Sequence, residues 1–200
     1  MHQLLRRIIQ FKIGWRWYFA ALLVVIFGTA GQLGIMRLLG YSFDLSLFIA
    51  QMGSLLPLLI LGPLSEEIGW RGYALDRLQT KWNPALSSLI IGLTWALWHL
   101  PLFAMVGTSQ YVLKIPFIGF AVGILASSVV YTWLHNNTRG SIWMAIFFHW
   151  IGTFPSQVMA SGVTRSPQFN GLEYLPYVII AIIIVIVGRP KMTVGFVRGG

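Results

Sequence analysis

The chain has 200 residues, 56% hydrophobic and 10% charged, with a mean hydropathy of +0.74 and a net charge of +9. A soluble domain carries about 25% charged residues, so this composition excludes a water-soluble globule, and it excludes a disordered chain because disorder goes with low hydrophobicity and high charge. The absence of cysteine excludes a disulfide scaffold, thiolate catalysis and Cys-ligated zinc or iron–sulfur sites.

Residues 1–16 (MHQLLRRIIQFKIGWR) place Leu4, Leu5, Ile8 and Ile9 at helical spacing, with Arg6, Arg7 and Lys12 between them. That pattern predicts an amphipathic helix lying on the membrane surface. Six apolar runs follow, at about 17–39, 45–64, 84–106, 112–134, 141–160 and 174–187. A span needs about 20 apolar residues, and the last run reaches that length only if it starts near Leu172. The expected fold class is all-α: a polytopic transmembrane helix bundle of about six spans plus the interfacial helix. No linker or repeat divides it, so residues 1–200 read as one domain, and the tail RPKMTVGFVRGG reads as a solvated end.

With the N-terminus inside, the inner side holds Arg6, Arg7, Lys12, Arg16, Arg71, Arg77, Lys81, Arg139, Arg189, Lys191 and Arg198. The outer side holds Arg37, Lys114 and Arg165. This obeys the positive-inside rule and puts both termini in the cytoplasm. The excess of positive charge fits membrane flanks against anionic lipid. It does not read as a nucleic-acid surface, because no basic stripe or stacking motif accompanies it.

An ionisable residue at membrane depth is a functional hypothesis by default. Asp44, Asp76 and Glu173 fall in connections, and His135, in LHNNTRG, reads as a solvated loop histidine. The remainder are Glu66, Glu67 and Arg71 in LGPLSEEIGWRGYALDRLQ, His99 in LTWALWHLPLF, and His149 in MAIFFHWIGTF. Pro63 and Ser65 suggest that a new helix begins there, with two acids in its first turn at the positive end of its dipole. Glu67 and Arg71 are four apart and share a face. Glu66 lies about 100° around the helix from Glu67, so Glu67 can be tied to Arg71 while Glu66 stays free to act on water. Trp95 lies one turn before His99, and Pro101 ends or kinks the helix near that histidine. Thr153 follows His149 by one turn, with Gly152 permitting close helix approach. Brought together, one carboxylate and two imidazoles suit water activation, directly or through a zinc-like ion held by Glu66, His99 and His149.

These residues resemble the motifs of the CPBP family of CAAX prenyl endopeptidases and Abi-type intramembrane proteases. EEIGWRGYALDRLQ resembles EExxxR, and WALWHLPLF resembles FxxxH with Trp95 in place of Phe. FFHWIGT resembles HxxxN with Thr153 at the Asn position. The similarity covers residues 61–153. It implies a membrane endopeptidase, a metalloprotease by name but compatible with a metal-free glutamate mechanism, in a bacterial plasma membrane. By resemblance, Glu66 and His99 activate water and His149 stabilises the oxyanion, with Thr153 standing where a second donor would be. Glu67 and Arg71 complete the first motif. The expected substrate is a hydrophobic, lipidated or membrane-associated peptide reached from the bilayer or the inner face. The rival readings are a non-catalytic immunity or abortive-infection scaffold and a small proton-relay transporter, although no inverted repeat supports the transporter.

Overall fold

The structure is a computed structural model that describes residues 2–165, 171–188 and 192. It is built from helices: α1 (His2–Ile8), α2 (Trp15–Leu38), α3 (Leu45–Gly69), α4 (Leu75–Leu78), α5 (Pro84–Trp98), α6 (Ser109–Val112), α7 (Phe117–Asn137), α8 (Ile142–Gly162) and α9 (Leu175–Val187). The only strands among the described residues, β1 (Ser42–Phe43) and β2 (Val163–Arg165), form a short antiparallel pair. That pair ties the exit of α2 to the exit of α8.

The six apolar runs map onto α2, α3, α5, α7, α8 and α9. Of these, α2 and α7 are each long and apolar enough to cross a membrane. Asn83 caps α5 by accepting from Leu86 N–H, Ser141 caps α8 through Met144 N–H, and Asp44 caps α3 through Ser46 N–H. The bundle packs α5 on α7, α3 on α8, and α9 against α7 and α2. Small residues allow the closest approaches. A Cβ on Gly92 of α5 would stand 3.0 Å from Leu125 Cα of α7, and one on Gly28 of α2 would stand 2.6 Å from the Tyr177 ring of α9. The outward faces carry Phe19, Ile26 and Phe27 of α2 and Ile179, Ile182 and Ile186 of α9. A soluble fold would not leave such an apolar surface bare. This is a membrane helical bundle.

Four expectations need correction. No helix starts at Ser65. Instead α3 runs through Pro57 and Pro63 to Gly69 and continues as a π-helical turn, Trp70–Ala74, into α4. Ser65 Oγ donates back to the Gly62 carbonyl at 2.9 Å, which is the bond of a mid-helix serine rather than a cap. The acids therefore sit near the end of a helix, and no N-terminal dipole supports them.

The N-terminal helix, His2–Ile8, is shorter than the expected 1–16 and is tied to the bundle. Arg7 reaches under the bundle, donating from Nε to the Gly140 carbonyl and from Nη1 to Asp76 at 2.6 Å, while Leu4 packs close to Gly72 of the π turn.

His135 is not a solvated loop residue. Helix α7 extends to Asn137, and His135 is buried with Nε2 3.2 Å from Asp76 Oδ1. Arg71 is likewise buried and is no loop charge. Removing it leaves ten inner against three outer basic residues in the expected topology.

The tail does not read simply as a solvated end. Met192 is buried and its carbonyl accepts from Ala85 N–H at 2.9 Å. Arg189, Lys191 and Arg198 lie outside the described residues.

Candidate active site

Trp95, on the inward face of α5, is the centre of the polar cluster. Its indole Nε1 donates to Glu66 Oε2 at 2.8 Å. Its carbonyl lies 2.8 Å from His99 Nδ1, where the helix ends and a 3₁₀ turn, Leu100–Phe103, begins. A carbonyl can only accept, so His99 carries a proton on Nδ1, and a neutral ring would present Nε2 as an acceptor. Glu66 and His99 are thus bonded to opposite ends of one tryptophan. Trp98 and Phe120 crowd the His99 ring at centroid distances of 5.0 and 5.3 Å, and Glu66 Oε1 makes no hydrogen bond among the described residues.

Behind this pair lies a buried ionic group. Arg71 Nη1 donates to both oxygens of Glu67, at 2.9 and 3.0 Å, and both side chains are fully buried. The Arg71 guanidinium lies over the Tyr131 ring at 3.8 Å and over Trp95 at 4.7 Å. Its Nε and Nη2 have no hydrogen-bond partner among the described residues. Ring faces therefore supply part of what water would otherwise give the cation. The π turn that carries Arg71 is a rare geometry, met mostly as a single turn inside α-helices and frequently at functional sites.

Glu67 has a second partner. His149 Nδ1 lies 2.8 Å from Glu67 Oε1. The carboxylate accepts, so His149 also carries a proton on Nδ1 and, when neutral, presents Nε2 as an acceptor. A carboxylate that fixes the ring and tautomer of a histidine recurs in hydrolase sites. His149 packs edge-on against Trp95 and Tyr131, at 5.5 and 5.9 Å. Thr153 stands one turn further along α8, half-buried, with no side-chain hydrogen bond among the described residues. Helix α8 is held on α3 partly by the Trp150 indole, which donates to the Ile60 carbonyl at 3.2 Å.

The structure thus brings Glu66, His99 and His149 around Trp95, with Glu67 and Arg71 behind them. The spacing argument found the Glu67–Arg71 tie but not the Glu67–His149 bond, since residues 82 apart leave no mark in local periodicity. It also passed over Tyr131. A phenol inside the apolar run SSVVYTW is the signal that could have found it, because a buried Tyr normally needs a partner for its hydroxyl. No group of three His, Cys, Asp or Glu side chains is placed to share one metal ion among the described residues. The zinc-like set of Glu66, His99 and His149 does not fit this geometry.

Residues 48–154 match the sequence model of the type II CAAX prenyl endopeptidase Rce1-like family. The chain belongs to this family. The match spans all three motifs and every side chain just described. CAAX prenyl protease 2 of Methanococcus maripaludis is 34% identical over 131 residues, which cover 64% of this chain and 48% of that relative. The chain therefore spans about half the length of that curated relative. The Rce1-like core of this chain contains the α3–α5–α8 cluster in full, with α7 supplying Tyr131.

Proposed function

We propose that this family member is an endopeptidase that hydrolyses peptide bonds of hydrophobic or lipidated peptides at the membrane. The observation that carries the reading is the double anchorage on Trp95, with Glu66 on its indole and His99 on its carbonyl. It sets one carboxylate and one imidazole beside the same ring with one free atom each, Glu66 Oε1 and His99 Nε2. A water held between them can be activated by direct general-base chemistry. As the water oxygen bonds to the scissile carbonyl carbon, Glu66 takes its proton and the carbonyl π pair moves onto oxygen. The tetrahedral intermediate collapses when the C–N bond breaks. The electron pair leaves with nitrogen, and the proton held by Glu66 passes to the amine. His149 acts beside the oxyanion, and in its doubly protonated form Nε2 donates while Glu67 shares the charge. Orientation follows the basic residues, with both termini cytoplasmic in the plasma membrane.

The test is mass spectrometry of a hydrophobic peptide library, with and without C-terminal prenylation. The peptides are incubated with the protein in lipid and, in parallel, with Glu66→Gln. Products from the wild type that vanish in the variant are expected. Identical digests refute the reading and leave a binding role, of the immunity or scaffold kind, as the one to pursue.

A further inference from the structure

We propose that Tyr131 is a catalytic residue whose hydroxyl donates a hydrogen bond to the oxyanion of the tetrahedral intermediate. This rests on the protease reading above and adds a residue to it. The argument begins with a shortage of donors. The one proton of neutral His149 is on Nδ1 and committed to Glu67 at 2.8 Å, so its Nε2 can donate only after the ring takes a second proton. Thr153 stands where the family motif has an amide, and its hydroxyl reaches less far. A site that stabilises an oxyanion needs a donor aimed at the developing charge, and losing one costs about a hundredfold or more in rate.

Tyr131 supplies what is missing. It is on α7, and its ring meets Trp95 at 5.6 Å, Phe148 at 4.7 Å and His149 at 5.9 Å. With only 4% of the residue exposed, the ring is locked among these neighbours. Its hydroxyl makes no hydrogen bond to any described residue, yet it is not one of the sealed polar atoms without a partner. The hydroxyl is therefore unpartnered without being sealed, on a ring that packs against His149, whereas Ser128 and Thr132 of the same helix have their unpartnered hydroxyls sealed. A tyrosine buried to this degree ordinarily has a partner for its O–H. Here that partner is water or substrate. The Arg71 cation 3.8 Å over the ring face helps hold the phenol in place. A neutral phenol also donates whether or not His149 is charged.

The experiment compares wild type, Tyr131→Phe, Thr153→Asn and the double variant in lipid, on a peptide whose cleavage is lost in Glu66→Gln. Phe keeps the ring, its stacking and its volume, and an unchanged thermal unfolding midpoint confirms that the fold is kept. Expected is a fall in kcat of about a hundredfold in Tyr131→Phe with KM within about twofold. Thr153→Asn is expected to recover about tenfold or more in the Tyr131→Phe background. A Tyr131→Phe enzyme within about threefold of wild type overturns the proposal. Calorimetric binding of a peptidyl phosphinate, which mimics the tetrahedral oxyanion, reads the same contact without turnover. Tyr131→Phe should weaken the phosphinate about a hundredfold and leave the parent peptide unchanged, and equal phosphinate affinity refutes the role. A wild type that neither cleaves nor binds the phosphinate refutes the protease reading itself.

Discussion

Glu67→Gln tests the buried ionic group most directly. Gln keeps the volume and one acceptor oxygen but removes the charge, and its NH₂ faces Arg71 Nη1 in either orientation, and His149 Nδ1–H as well in one of them. In the wild type these stand 2.9 and 2.8 Å from the same carboxylate oxygen, with Glu67 and Arg71 fully buried. Removing one partner of such a pair leaves an uncompensated buried charge and costs about 3–5 kcal/mol. That is two to three and a half decades in the folding equilibrium, at about 1.4 kcal/mol per decade. The tyrosine and tryptophan faces over Arg71 offset part of the loss, so the expected value is near the lower end. Denaturant unfolding in mixed micelles, followed by helical circular dichroism, reads it. Adding Arg71→Met should make the double variant less destabilised than the sum of the singles by about 1 kcal/mol or more, because the orphaned cation is gone. Turnover falls as well, since His149 loses its tether. A Glu67→Gln protein within about 1 kcal/mol of wild type but without turnover refutes the tie. Glu67 would then take part in the chemistry itself.

Three further outcomes follow from packing and charge. In Gly123→Ala the new Cβ stands 2.5 Å from the Tyr174 ring, and overpacking of this kind costs about 1–3 kcal/mol; a thermal unfolding scan checks it. Asp76→Asn removes the negative charge shared by Arg7 at 2.6 Å and His135 at 3.2 Å, and turns one of the two acceptor oxygens into a donor NH₂. Hydrogen exchange in residues 2–8 should rise severalfold while the bundle core is unchanged, and equal protection of α1 would contradict its docking through Arg7. Glu173 lies in the connection before α9, fully buried, with neither carboxylate oxygen hydrogen-bonded among the described residues. Burial pushes its pKa above the usual 4.5, against the opposing pull of the Glu173 and Gly171 amides. An acid whose folded pKa is raised binds more protons folded than unfolded between the two values, so its penalty is absent below about pH 4.5 and grows as pH rises through the folded value. Glu173→Gln should therefore stabilise at pH 7.5 and do nothing at pH 4, and unfolding measured at both pH values tests the sign.

The spans were legible because a bilayer imposes length and apolarity on each of them, and helix ends at Asn83 and Ser141 carry their own capping chemistry. What periodicity misread lies where tertiary contacts override a local rule. Pro63 and Ser65 look like a helix start, yet α3 passes through both, with Ser65 bonded back to Gly62 and α8 bracing the helix through Trp150. The interior proline costs one hydrogen bond, and packing against α8 offsets it. The consequence reaches the site. Because the helix does not restart, Glu66, Glu67 and Arg71 share one continuous helical segment ending in a π turn, so Glu67 faces α8 and Glu66 faces α5. Local spacing could separate the two acids by 100°, but only the positions of α5 and α8 decide what each one meets. The chemistry was legible in residue types for the same reason that it was incomplete. Charges and histidines stand out against an apolar background, whereas Trp95 and Tyr131 belong to that background by composition. Their N–H and O–H matter only once the bundle brings Glu66 to one and leaves the other without a partner.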